Sequence, residues 1–301
     1  MVIVNEIQVK SILNKHKRRD DWFLDDYSIN PYSGCLFNCI YCYIRGSKYG
    51  ENMAKTLSAK INAPEVLEKQ LKRRAKKREY GIIALSTSTE PYQKIEEKYK
   101  ITRKLLEIIL KYRFSVHILT KSTLVLRDLD LLREIDKNAI LPEDLKDKIK
   151  GGVIINFSIS TLNEKLAKLI ERGAPKPKKR LETMQKCKDE GFLVGISYIP
   201  VLPFLYDSKG QLDEMIKTAK NYGADFVIVG ALTLFGNGSA DCKTLYYKFL
   251  EKHYPELVPK YWNLYKIFFA PPKEYQKKLE ERSKKLCKKY GIKNRIILNI
   301  E

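Results

Sequence analysis

Short apolar runs alternate along the chain with longer segments whose apolar positions recur at helical spacing. The short runs predict strands at Gly81–Leu85, Ser115–Leu119, Val153–Ser158, Leu193–Ile199 and Asp225–Val229, with a first strand near Tyr27–Pro31. Between them the pattern predicts helices over Pro64–Glu79, Glu97–Tyr112, Asp128–Asp136, Leu162–Ile170, Pro177–Glu190 and Gln211–Tyr222. Pro64 and Pro177 suit first helical turns, while Gly191 and Gly223 suit helix stops. Strand followed by helix, repeated in this way, predicts an α/β fold with a parallel sheet and right-handed crossovers. Chemistry in such a sheet belongs at the C-terminal ends of the strands.

The pattern changes near residue 235 to tyrosine-rich helices over Cys242–Tyr254, Glu256–Phe268 and Lys273–Tyr290. The organisation read from this is an N-terminal extension at 1–28, an alternating strand–helix body at 29–235, which an open sheet and a partial or full barrel both fit, and a helical extension at 236–301. Ala139–Gly152 is the one stretch expected to be irregular, and no internal repeat is present. Hydrophobic content of 44% belongs to a globular chain. No apolar run reaches the ~18 residues of a membrane span, and the N-terminus lacks a signal peptide's order, so the expected setting is cytoplasmic, without a membrane. The net charge of +21 attracts polyanions, so DNA or RNA is a partner to test. Lysine-rich, amide-poor composition is also an adaptation to heat, which leaves the charge open to a second explanation.

Cys35, Cys39 and Cys42 lie together in Asn30-Pro31-Tyr32-Ser33-Gly34-Cys35-Leu36-Phe37-Asn38-Cys39-Ile40-Tyr41-Cys42-Tyr43, with no further cysteine until Cys187. Three thiolates can hold three irons of a [4Fe–4S] cube and leave the fourth iron open to another ligand. A structural zinc site takes four protein ligands, one more than this stretch offers. Polar residues gather where the strands stop, in Ser86 to Gln93, in Thr120-Lys121-Ser122 and in Ser158 to Thr161. Lys121 suits a carboxylate and Glu90 an ammonium group, which together match a zwitterionic amino-acid moiety; ordinary turn and cap chemistry explains the same residues one by one.

These residues together resemble the radical S-adenosylmethionine superfamily, and more narrowly its spore photoproduct lyase-related, DNA repair photolyase-like branch. The resemblance rests on the cysteine stretch, Thr89-Glu90-Pro91-Tyr92-Gln93, Leu119-Thr120-Lys121-Ser122, Phe157-Ser158-Ile159-Ser160-Thr161 and Glu171-Arg172-Gly173-Ala174-Pro175 with Arg180-Leu181-Glu182. It implies a partial (β/α)6 TIM-type barrel with a C-terminal helical extension. It also implies a [4Fe–4S] cluster on Cys35, Cys39 and Cys42, and S-adenosyl-L-methionine at the open iron. An electron donor such as ferredoxin or flavodoxin would reduce the cluster, and a 5′-deoxyadenosyl radical would abstract a hydrogen atom. By position, Lys121 and Ser158 match residues contacting the methionine moiety, with Glu90 behind them, and Tyr41 and Tyr43 pack by the cluster or the adenine. The lyase's hydrogen-donating cysteine has no counterpart in Ala84-Leu85-Ser86-Thr87-Ser88-Thr89, so that enzyme's route is not expected here.

Cys242, just past the last strand, is the remaining candidate hydrogen donor, and Cys187 reads as a small buried apolar residue. Lys69 to Arg78 reads as a solvated helix face, whereas Lys176, Lys178, Lys179 and Arg180 could meet phosphate. Tyr246, Tyr247, Tyr254, Tyr261, Trp262 and Tyr265 could form a core or stack on bases, and His117 reads as packed. Three functions follow: a radical enzyme acting on a nucleic-acid base, a radical enzyme acting on a peptide or small metabolite, or a non-catalytic iron–sulfur or zinc protein.

Overall fold

The computed structural model describes residues 3–47, 50, 53 and 56–297. Met1, Val2 and residues 298–301, at the ends of the two predicted extensions, lie outside them. The strands in chain order are β1 Ile3–Ile7, β2 Asn14–Lys15, β3 Tyr27–Ile29, β4 Tyr32–Ser33, β5 Thr56–Lys60, β6 Ile82–Leu85, β7 Ser115–Thr120, β8 Val153–Ser158, β9 Leu193–Val201 and β10 Phe226–Ala231. The main sheet runs β10-β9-β8-β7-β6-β3-β2, parallel from β3 to β10, with β2 antiparallel at the β3 edge. Its ends do not pair, so the barrel is partial, as the family resemblance implies. A second sheet, β1-β5-β4, sits beside the start of the body.

Each parallel strand is buried on both faces, which is why it reads as an apolar run instead of an alternation. Outward residues such as Ile83, Val116, Ile155, Val194 and Val227 pack under the crossover helices. Inward residues Ile82, Ile154, Phe226 and Ile228 form a smaller cluster with Leu24, against which Trp22 and Phe23 pack. Gly195 on β9 makes room for this inner layer, since a Cβ there would lie 2.3 Å from the Phe226 ring.

Trp22, Phe23 and Leu24, in the segment read as an N-terminal extension, therefore pack inside the barrel, while Ile3–Ile7 joins the second sheet. The segment's backbone joins the main sheet through Asp26 N–H to the Ile82 carbonyl (3.0 Å), and Ile82 N–H returns to Asp26 Oδ2 (3.0 Å). Two predicted helices depart most from their patterns. The Glu97–Tyr112 segment breaks into Glu96–Tyr99 and Ile101–Lys111 at Lys100, whose φ of 51° is left-handed. The segment predicted to run to Phe268 is helical only over Val258–Leu264, after a 3-10 turn at Pro255–Leu257. Lys273–Tyr290 packs on Lys209–Asn221 and on β10, so the tail extends the barrel's outer layer. Among the described residues no helix is long and apolar enough to cross a membrane.

His117 is buried on β7, as its place in a strand suggests, and its Nδ1–H donates to the Phe23 carbonyl at 2.7 Å. Burial lowers its pKa to about 4. The unfolded chain binds a proton below the ordinary value of about 6.5, so stability is lost as pH falls from there to about 4, by about 3 kcal/mol in full. Asp25, raised by burial to about 6, has the opposite slope because the folded chain takes its proton first. His117→Gln should therefore flatten the acid-side loss, seen as a smaller drop in Tm than wild type between pH 7 and pH 4.5. Parallel Tm curves for the two proteins would show that His117 does not titrate this way.

Candidate active site

Gly34 opens the cysteine loop with φ of 86°, and a Cβ there would lie 2.6 Å from the Thr56 carbonyl oxygen, so only glycine fits. Beyond it the loop carries little regular structure, and neighbouring elements satisfy its backbone instead. Leu36 N–H donates to Gln93 Oε1 (2.7 Å), and Gln93 Nε2 donates to the Gly34 carbonyl (3.1 Å). Ile40 N–H reaches the Ile170 carbonyl and Gly173 N–H reaches the Phe37 carbonyl, both at 2.9 Å, flanking an antiparallel bridge between Cys39 and Glu171. Gly173 permits that approach, because a Cβ would lie 2.3 Å from the Leu36 carbonyl oxygen. Arg45 closes the far side, donating from Nε to the Cys39 carbonyl (3.1 Å), from one Nη to the Ala240 carbonyl (3.2 Å) and from the other to Asn38.

The three thiols of this loop line a cavity of about 790 Å³ at the C-terminal ends of the strands. Burial pushes the Cys35 thiol up to about 12, with Glu90 adding to the effect, and raises Cys39 and Cys42 as well. Such thiols hold their protons until a metal displaces them. Among the described residues no three His, Cys, Asp or Glu side chains converge as the ligands of one ion. Three thiols that line one cavity, on a loop fixed from both sides, fit three iron corners of a [4Fe–4S] cube better than a zinc site that takes four protein ligands.

Lys121 and Ser158, predicted from separate strand ends, meet in the cavity wall. Lys121 Nζ donates to Ser158 Oγ at 2.7 Å, and Ser158 Oγ lies 3.4 Å from the Ile199 carbonyl. Glu90 also lines the cavity, yet its carboxylate is already engaged. Oε1 accepts from Thr120 Oγ1 (2.5 Å) and Tyr92 N–H (3.1 Å), and Oε2 accepts from Lys121 N–H (2.9 Å). Its geometry fixes the turn that presents Lys121, in place of the free ammonium-binding group expected from sequence. Burial nonetheless raises the Glu90 pKa, outweighing those bonds.

Tyr41 lines the cavity and turns its hydroxyl into a buried network with Ser160 Oγ (2.9 Å) and the Glu171 carboxylate. Arg180 completes the network: Nη2 to Glu171 Oε2 (2.5 Å), Nη1 to the Ser158 carbonyl (2.9 Å) and Nε to the Pro175 carbonyl (2.8 Å). Burial opposes the Glu171 charge, but Arg180 and Lys121 outweigh it and hold the carboxyl below its usual range. Arg180 is thus removed from the expected phosphate-binding group, while Lys176 pairs with Glu164 and Lys179 with Glu182. Tyr43 is half exposed at the cavity, its hydroxyl donating to the Thr87 carbonyl.

Cys242 is not brought to the cavity. It is buried, its Sγ accepting from Phe235 N–H at 3.0 Å, which does not suit a hydrogen donor facing a substrate. Cys187 is buried, as expected of a packed thiol. Ser86, Ser197 and Asn156 carry buried polar groups without a partner, and of the three only Ser86 stands among the strand-end residues read from sequence. Ser86 takes φ of 69° at the end of β6 with Oγ buried and unpartnered, Ser197 Oγ is likewise unpartnered, and the Asn156 amide has no partner on either atom. Asn156 interrupts an otherwise apolar strand core, which is the signal that could have singled it out.

A family model described as the Radical SAM superfamily matches residues 29–219. An uncharacterized protein of Mycobacterium tuberculosis is 30% identical over 297 residues, covering 97% of this chain and 82% of its own. An uncharacterized protein of Acidianus two-tailed virus is 31% identical over 214 residues, 67% of this chain and 66% of its own. Among solved structures, a spore photoproduct lyase mutant with bound AdoMet and dinucleoside spore photoproduct has a similar fold, with TM-score 0.65 and 16% identity, covering 96% of this chain and 79% of that chain.

The buried pair gives a stability test. Arg180→Met strands the Glu171 carboxylate and should cost about 3–5 kcal/mol in denaturant unfolding, whereas Arg180→Met combined with Glu171→Leu should recover part of that loss. Additive losses in the double variant would refute a direct pair.

Proposed function

This chain belongs to the radical SAM superfamily, and on that premise we propose that it abstracts a hydrogen atom from a nucleic-acid base, in repair or modification. The family uses a [4Fe–4S] cluster and S-adenosyl-L-methionine. Together, when bound and reduced, these supply the carbon-centred radical that takes the hydrogen atom. The observation that carries the reading is that three buried thiols share one cavity with the Lys121–Ser158 pair.

Cys35, Cys39 and Cys42 would hold the cluster. Lys121 offers a cation to the carboxylate of the amino-acid end, and Ser158 orients that cation from the next strand. Glu90 keeps Lys121 in place through its backbone N–H. Leu119, Ile199, Leu232, Phe37 and Trp22 give the cavity apolar walls, which exclude the water that would quench a reactive intermediate.

Two observations support a nucleic-acid substrate. The net charge is +21, and the lyase of similar fold holds a dinucleoside. Repair by the lyase's cysteine route is not part of the proposal. Ala84–Thr89 lacks a cysteine, and Cys242 faces Phe235. Serine and threonine O–H bonds are too strong to donate hydrogen readily to a carbon radical, so the final donor is another group.

Cys39→Ala should abolish the cluster's visible absorbance and 5′-deoxyadenosine formation together; a variant retaining both would refute the ligand assignment. Lys121→Ala should keep the absorbance and weaken S-adenosylmethionine binding about tenfold, as loss of one charge-assisted bond implies. Unchanged affinity would remove Lys121 from the site. For the substrate, dithionite-reduced protein should release more 5′-deoxyadenosine with DNA or RNA oligonucleotides than alone. A response to peptide or metabolite fractions, with none to oligonucleotides, would replace the substrate class.

A further inference from the structure

Large apolar side chains exposed on the described surface are mostly scattered, but one stretch gathers several. Trp262 is 57% exposed, Ile267 80%, Phe268 69% and Phe269 52%. The neighbouring tyrosines do not share this exposure. Tyr246, Tyr261 and Tyr265 are buried, with Tyr246 and Tyr261 hydroxyls bonded to each other at 3.0 Å. Of the six aromatic residues the sequence offered for stacking, the structure buries Tyr246, Tyr247, Tyr261 and Tyr265 in the core, packs Tyr254 partly buried against it and leaves Trp262 outside. Consecutive exposed apolar residues on a folded chain mark a surface that meets something.

The surface is basic as well as aromatic. Lys243 Nζ lies 5.8 Å from the centre of the Trp262 ring, whose other neighbour is Tyr247 at 4.9 Å between centroids. Lys266 is exposed directly before Ile267. It is also joined to the cavity. Phe269 stacks on Phe235 with centroids 4.3 Å apart, and its carbonyl accepts from Leu234 N–H at 2.7 Å. Lys243 N–H donates to the Phe235 carbonyl at 3.1 Å. Phe235 follows Leu232 and Thr233, which line the cavity.

We propose that the patch formed by Trp262, Phe268, Phe269, Lys243 and Lys266 docks an unpaired stretch of DNA or RNA and leads it to the cavity. The inference rests on the nucleic-acid reading above and extends it from a base in the cavity to the strand that carries the base. Open aromatic faces take the faces of bases, and flanking ammonium groups take the phosphates between them. A duplex keeps its base faces stacked inside, so a single strand suits this surface better. Its phosphates also complement the +21 charge of the chain.

The test uses cluster-loaded protein and a labelled single-stranded 12-mer, read by fluorescence anisotropy without turnover. Phe268→Ala with Phe269→Ala should weaken binding about tenfold or more while cluster content stays unchanged, and Phe268→Ala alone, at the more exposed ring, should weaken it without lowering the melting temperature. Lys243→Gln and Lys266→Gln should each lower the slope of log affinity against log salt by about 0.7. Unchanged affinity in the phenylalanine variant overturns the proposal. An equal loss toward inorganic polyphosphate also overturns it, because that polymer has no bases to stack. If the variant binds the oligonucleotide normally but is reduced more slowly by an acidic flavodoxin, the patch is a redox dock instead. Release of 5′-deoxyadenosine by the same variant without nucleic acid separates failure of this surface from failure of the radical chemistry.

Discussion

Arg180 and Glu171 form a fully buried ion pair that reaches both halves of the site. Glu171 bridges to Cys39 through its backbone and accepts from Tyr41, two residues further along the cysteine loop. Arg180 donates to the carbonyl of Ser158, the strand-end residue that holds Lys121. Burying two charges is expensive unless every donor and acceptor finds a partner, and here the guanidinium has three. The result is a rigid link between the sulfurs and the Lys121–Ser158 pair. Radical chemistry needs such rigidity, since a displaced reacting atom loses its geometry of attack.

The barrel separates two jobs by the parity of its strands. Outward residues pack the helices and make the fold stable. Inward residues are apolar at the bottom, where Leu24, Ile82 and Phe226 meet, and include polar groups such as Asn156 and Ser197. The N-terminal segment stands inside this arrangement, with Phe23 against His117 and Trp22 against Gly230. The unpaired edges of the sheet are β2, which belongs to that segment, and β10, against which the helical tail packs.

Much of this is legible in the residues alone. Val153–Ser158 is a strand as its apolar run predicts, and Lys273–Tyr290 a helix as its periodicity predicts, because buried strands and long amphipathic helices carry their partners' geometry in their own spacing. The helix break at Lys100 is not legible, because a lysine in the left-handed region has no local signature. Glu90 looks free in sequence and proves engaged, since its partners Thr120 and Lys121 lie thirty or so residues away.

The order of strands and helices, the cysteine triplet and the strand-end polar residues are carried by the residues alone, because each depends on neighbours within a few positions. Which of those groups share a cavity was set by packing. Packing joined Lys121 to Ser158, withdrew Cys242 and Arg180 from the roles their positions suggested, and brought His16, Arg18–Phe23 and Asp25 into the wall. Contacts across a barrel depend on register and on how its layers fill, and those are properties of the packed chain as a whole.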